Sequence, residues 1–166
     1  MTRQREAVDW PALYDEHASD LAHYLTRLVG DRATGLDLMQ DTFVRAMAHA
    51  DALRDPLAAR AWLYRIATNL AADHRTRQRL RRFIPFARQP IASVSEISSP
   101  VDMAVRAALR AIPLAQASAL VLHYYAGFTR HEIAGMTGIS EEGVKSRLAR
   151  GRRAFLDAYR DQEGSR

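Results

Sequence analysis

Apolar residues recur at three- and four-residue steps along most of the 166-residue chain, and no stretch alternates apolar and polar side chains long enough to suggest a strand. A period near 3.6 lays such residues along one face of a helix, so the chain is constrained to an all-α fold in which each helix buries one stripe. Asp9 can cap a first helix with Pro11 in its first turn, its stripe being Leu13, Tyr14, His17, Leu21, Tyr24, Leu25 and Leu28 and its end Gly30. A second helix, from about Leu36 to Ala50, turns Leu36, Met39, Phe43 and Met47 inward and leaves Asp37, Gln40, Asp41 and Arg45 on the opposite side. A third runs from near Pro56 to about Arg82 with Leu63, Tyr64, Ala67, Leu70 and Ala71 inside.

The pattern breaks from Phe83 to Pro100, where Pro85, Pro90 and Pro100 interrupt helix and four serines lie between 93 and 99. Residues 1–82 and 101–166 therefore read as two small helical domains joined by a flexible linker at 83–100. Beyond it, Val101, Ala104, Val105, Ala108, Leu109 and Ile112 form the stripe of one short helix, and a second spans Leu114 to Ala126 and ends at Gly127. Thr129 and Glu132 fit a capping box, Gly138 fits a left-handed turn, and Ser140 can cap a longer helix from Glu141 to about Arg160. That is a helix-turn-helix in a four-helix, winged-helix-like domain, with Ile133, Ala134, Ile139, Val144 and Leu148 as its small core.

Charge narrows the partner. The chain carries 24 basic and 19 acidic side chains, and all the basic ones except Lys145 are arginine, whose planar guanidinium suits phosphate. Residues 60–90 hold eight basic and one acidic side chain and residues 129–166 eight and six, while residues 91–128 between them hold two of each. Two basic tracts flanking a neutral gap point to a polyanion. The arginines at 75, 77, 79, 81 and 82 lack the strong apolar face of a membrane-surface helix. There is no cysteine, which excludes a disulfide framework, a thiolate metal site and a thiol nucleophile. Met1 to Glu6 is polar and no apolar run approaches the roughly 20 residues of a membrane span, so a cytoplasmic location is expected.

A helix-turn-helix places its second helix in the major groove, apolar residues inward and cationic or hydroxylic ones toward bases and phosphates. Val144, Leu148 and Ala154 can face inward, and six of the nine residues from 145 to 153 are cationic or hydroxylic, among them Lys145, Ser146, Arg147, Arg150 and Arg153. An ordinary hairpin with a solvated basic face is the plainer alternative. On the third helix, Trp62, Arg65, Ile66, Asn69 and Asp73 share a face turned from the Leu63/Leu70 stripe, and Arg75 and Arg77 extend it. Aromatic and cationic groups in that order suit single-stranded nucleic acid, although on this stripe alone the simpler reading is that Trp62 completes the core. The six histidines show no metal-ligand spacing, and neither a phosphate-binding glycine loop nor a nucleophile elbow is present, so no metal, cofactor, small-molecule substrate or catalysis is expected.

In this order the segments resemble the extracytoplasmic-function sigma factors of the sigma-70 family. LDLMQDTFVRAM (36–47) is similar to the family's polymerase-binding segment, RAWLYRIATNLAADHRTR (60–77) to its −10 recognition and melting segment, and HEIAGMTGISEEGVKSRLARGRRAF (131–155) to its −35 reader. The resemblance implies a non-enzymatic initiation factor. Asp37, Gln40, Asp41 and Arg45 would meet core RNA polymerase, whose β′ clamp helices and β flap are the family's docking sites. Trp62, Arg65, Asn69, Asp73, Arg75 and Arg77 would lie near the −10 element, with Asn69 where an unstacked base is captured. Lys145, Ser146, Arg147, Arg150 and Arg153 would meet the −35 element. An anti-sigma partner is also implied, and with it either a free cytoplasmic state or tethering at the membrane through that partner. Two departures stand out: the segment from Pro113 to Ser118 lacks the arginine usual there, and Arg130-His131 replaces an aromatic-acidic pair. The rivals are a stand-alone helix-turn-helix regulator and, more remotely, a helical nucleic-acid-processing enzyme using Asp37 and Asp41.

Overall fold

The computed structural model describes residues 8–83 and 99–164, and every regular element among them is helical. The expected linker therefore lies, apart from its ends, outside the described residues. Helix α1 (Trp10–Val29) begins where the Asp9 carboxylate accepts the Ala12 N–H at 3.1 Å and ends at Gly30. Helix α2 (Arg32–Ala48) starts a turn earlier than its apolar stripe suggests, because Asp31 accepts from both the backbone N–H (2.8 Å) and the hydroxyl (2.7 Å) of Thr34. The two helices approach closely at Gly35, where a Cβ would strike the Thr26 hydroxyl and lie 2.8 Å from the Thr26 nitrogen. Thr26 and Thr42 are buried without penalty, since each hydroxyl donates to a carbonyl one turn back, Ala22 and Leu38, at 2.7 Å.

Short 3₁₀ turns at Ala50–Ala52 and Pro56–Ala58 lead into α3 (Ala59–Arg81), so the third helix begins just after Pro56 rather than at it. Its expected inner residues, Leu63, Tyr64, Ala67, Leu70 and Ala71, are all buried. Three residues expected inside are not: Tyr14, Met47 and Val101 are 41%, 47% and 60% exposed. Tyr14 lays its ring against Phe43 at 4.9 Å but is open on its other side. Met47 follows the fully buried Ala46 and is rotated from it by about 100°, out of the arc that α1 and α3 cover. Val101 lies in the first turn of its helix, at the end of the stripe that Ala104 and Ala108 bury.

Helix α4 (Pro100–Ala111) is capped by Ser99, whose hydroxyl accepts the Asp102 N–H at 3.1 Å. The helix expected from Leu114 to Ala126 proves to be composite. Helix α5 (Leu114–Leu120) widens into a π-helical turn, Val121–Tyr125, in which the Ala126 N–H reaches back to the Val121 carbonyl at 2.9 Å. His123 Nδ1 donates to the Phe128 carbonyl at 2.8 Å and holds the connection to α6 (Arg130–Thr137). The capping box forms as expected: Thr129 Oγ1 accepts the Glu132 N–H at 3.2 Å and Glu132 Oε2 accepts the Thr129 N–H at 2.7 Å. Gly138, at φ 70, makes the left-handed turn, and Ser140 accepts the Gly143 N–H at 3.1 Å to open α7 (Glu141–Gly164).

The two helical sets are in contact. Their buried residues form one continuous cluster, with α1 against α4 and α3 against α6. At its centre Tyr64 packs edge-on against both Tyr24 and Phe128, each at 5.0 Å between ring centroids. Such pairs contribute about 0.5–1.5 kcal/mol each beyond the area they bury. Burial pushes the Tyr64 phenol up to about 12, opposed by Arg60, so it stays neutral.

Candidate nucleic-acid interface

Helix α2 presents the first face. Leu38, Met39, Thr42, Phe43 and Ala46 turn inward, which leaves Asp37, Gln40, Asp41 and Arg45 exposed along the outer side. Val44 and Met47, 59% and 47% exposed, stand on the same helix. The combination of carboxylates and apolar groups is suited to a protein partner, and its apolar half was hidden in the sequence because Met47 reads as core.

Helix α3 presents the second. Arg65, Asn69 and Asp73 are exposed at four-residue steps, while Trp62 and Ile66 are only partly buried and pack against the core. Trp62 is thus half-buried, packed against the core yet partly open to solvent. Arg77 is exposed, but Arg75 is half-buried: its Nη2 donates to the Arg110 and Ile112 carbonyls at 2.9 Å each. Burial, then the Arg110 and Arg79 guanidiniums, lowers its pKa. Its Nη1 is buried and meets no acceptor among the described residues. In this arrangement Arg75 is committed to the end of α4. Beside it, burial and the positive field of Arg77, Arg81 and Arg110 hold His74 below the usual histidine range, against an opposing pull from Asp31.

The third face is α7, the second helix of the helix-turn-helix. Val144 and Leu148 are buried against the rest of the unit, which leaves Lys145, Ser146, Arg150 and Arg153 exposed and Arg147 half-buried. Lys145 pairs loosely with Glu142 at 3.3 Å across one turn. His131 Nδ1 lies 2.7 Å from Glu141 Oε1 and ties α6 to the start of α7, which gives the unusual His131 a local role. Two further arginines matter. The Arg60 guanidinium lies 4.1 Å over the Phe128 ring and that of Arg27 4.0 Å over the Tyr125 ring, so both bridge the helical sets. Nothing in the local sequence pattern marks either one.

The faces do not point apart. Arg65, Thr68, Asn69 and Ala72 of α3 form one wall of a cleft of about 250 Å³, and Leu114, Ser118, Met136, Thr137 and Arg147 line the other. No group of three or more carboxylate or imidazole side chains suited to a metal exists among the described residues.

Comparison with known proteins agrees with this geometry. Residues 13–81 match the family model for Sigma-70 region 2, and residues 102–155 match that for Sigma-70, region 4. The ECF RNA polymerase sigma factor SigL of Mycobacterium tuberculosis is 38% identical over 149 residues, covering 86% of this chain and 84% of that protein. The RNA polymerase sigma factor SigZ of Bacillus subtilis is 28% identical over 84% of this chain and 81% of its own length. Among solved structures, the sigma factor RpoE of Bartonella quintana, in complex with the anti-sigma factor NepR, superposes with a TM-score of 0.73 at 22% identity, covering 92% of this chain and 97% of that one. CnrH, in complex with the cytosolic domain of CnrY, gives 0.68 at 25% identity over 90% and 88%. The chain belongs to the extracytoplasmic-function group of the sigma-70 family of RNA polymerase sigma factors.

Proposed function

We propose that this chain binds core RNA polymerase and directs it to promoters, the helices of residues 1–82 docking on polymerase and engaging the −10 element and those of 101–166 reading the −35 element. The observation that carries the reading is the occurrence, in one chain, of a helix-turn-helix with a cationic outer helix and a separate helix exposing Arg65, Asn69 and Asp73. On α2, Asp37, Gln40, Asp41 and Arg45 meet the β′ clamp helices, with Val44 and Met47 supplying apolar contact, while the C-terminal helices reach the β flap. On α3, Trp62 and Asn69 hold bases freed from the duplex while Arg65 and Arg77 track phosphates, and Asp73 shapes the edge of that surface. On α7, Lys145, Ser146, Arg147, Arg150 and Arg153 divide between base edges and phosphates of the major groove. The chain makes and breaks no bond itself; that chemistry belongs to polymerase.

RpoE was captured with the anti-sigma factor NepR and CnrH with the cytosolic domain of CnrY, and an anti-sigma protein is the corresponding partner proposed here. No described helix is long and apolar enough to cross a membrane. The proposed location is the cytoplasm, with membrane tethering through the anti-sigma protein as the inactive state. Gel filtration with purified core polymerase tests the docking face: the chain should co-elute, and Asp41→Ala should weaken that association. Sequence-specific DNA binding without any co-elution would favour the stand-alone regulator.

A further inference from the structure

All but one of the chain's 24 basic side chains are arginine, and the exception, Lys145, stands on the outer face of α7. The difference is chemical. A guanidinium stays protonated at any ordinary pH and has no lone pair to give, whereas an amine that sheds its proton is a nucleophile. The sequence has no cysteine either, so Lys145 Nζ is its one side-chain amine or thiol able to accept an acyl group. Val144 and Leu148 are buried, which turns Lys145 outward, and its side chain is 59% exposed. Ala149, one turn on, is exposed and too short to cover it. Among the described residues its polar contact is Glu142 Oε1, 3.3 Å away, on a carboxylate itself 79% exposed. Glu141, the neighbouring carboxylate, is held by His131 at 2.7 Å.

We infer that Lys145 is an acylation site, at which transfer of an acetyl group from an acyl phosphate or an acyl thioester weakens the hold of α7 on DNA. The inference rests on the promoter-binding reading, in which Lys145 stands with Ser146, Arg147, Arg150 and Arg153 at the major groove. The freed amine attacks the acyl carbon and an N–C bond forms, while the C–O bond to phosphate or the C–S bond to thiolate breaks with its electron pair. The ammonium gives up two protons, one to the departing phosphate or thiolate and one to solvent, and Glu142 is placed to relay the first of them. Nothing is oxidised or reduced. Acetylation removes one positive charge and one ammonium donor from the face. It also leaves Glu142 without its counter-ion, while Glu141 stays with His131, so a carboxylate is uncovered beside the groove-facing cations. Both effects oppose DNA. Helix α7 itself is spared, because carboxylates in a first turn lie at the positive end of the helix dipole.

The full chain is incubated separately with acetyl phosphate and with acetyl-coenzyme A, under conditions that acetylate it when it is unfolded in urea. The folded chain should gain an acetyl group mapped to Lys145 by peptide mass spectrometry, and the donor that reacts identifies the source. A folded chain left unmodified at Lys145 by both donors overturns the proposal. The acetylated chain should keep its helical content, bind a labelled mixed-sequence duplex roughly tenfold more weakly at low salt, and show a salt slope smaller by about 1. Lys145→Gln should reproduce the loss without treatment, and in Lys145→Arg the same treatment should leave affinity where it started. Equal duplex binding before and after acetylation overturns the proposal, as does a loss that Lys145→Arg shares or one that comes with lost helix. The promoter reading is judged separately, by transcription with core polymerase. If the unmodified chain initiates none, that reading fails, while the change in duplex affinity still decides whether Lys145 is a charge switch.

Discussion

Gly35 and Gly135 both lie inside helices, yet their surroundings assign them opposite roles. A Cβ on Gly35 would collide with Thr26, so Gly35→Ala should push α1 and α2 apart and cost about 1–3 kcal/mol. Gly135 has nothing within 4 Å of where a Cβ would stand, so Gly135→Ala should stabilise the chain by about 0.5–1 kcal/mol through helix propensity alone. Urea unfolding of the two variants reads both signs. Glu132 gives a pH signature. The Thr129 backbone N–H and hydroxyl hold its carboxyl below the usual range, so as pH falls the unfolded chain takes up that proton before the folded one does. The cap's contribution is therefore complete above the unfolded value near 4.5 and lost as pH drops through the lower folded value. Glu132→Gln should flatten that limb of a stability-against-pH curve, and an unchanged limb would show that the cap does not form.

Helix ends were legible because their signals are local: Asp9, the Thr129/Glu132 pair, Gly138 and Ser140 act within three or four residues of the turn they set. Stripes were less so. Periodicity identifies an apolar face but not the arc a neighbour covers, which is why Met47 and Val101 read as core and are exposed. The π-helical turn at Val121–Tyr125 has no sequence signal of its own. The outer face of α7 was readable residue by residue, and it carries a direct expectation. Arg150→Ala should reduce transcription from promoters that depend on the −35 element. If Arg150 meets a phosphate, binding weakens on all sequences and the salt slope falls by about 1; if it meets a base edge, the loss is about 1–3 kcal/mol at one position of the site. Binding to a promoter and its point variants over a salt series distinguishes these, and unchanged binding throughout would remove Arg150 from the interface.

The union of the two helical sets was not legible at all. Arg60 meets the Ala126 carbonyl across 66 positions of chain, and Arg75 reaches Arg110 and Ile112 across 35 and 37, distances at which no spacing rule operates. What the sequence carried was the set of faces; what folding adds is that two of them share a cleft. The whole molecule thus holds its two helical sets together, with the polar face of α2 exposed, and the reading proposed for it is that of a factor directing polymerase to promoters. The most direct test of that account is transcription in vitro with purified core polymerase on fragments of the native genome, with and without the chain. Discrete new start sites that depend on the chain, each preceded by shared −10 and −35 elements, are the predicted result; no chain-dependent initiation, alongside sequence-specific DNA binding by the chain alone, would contradict it.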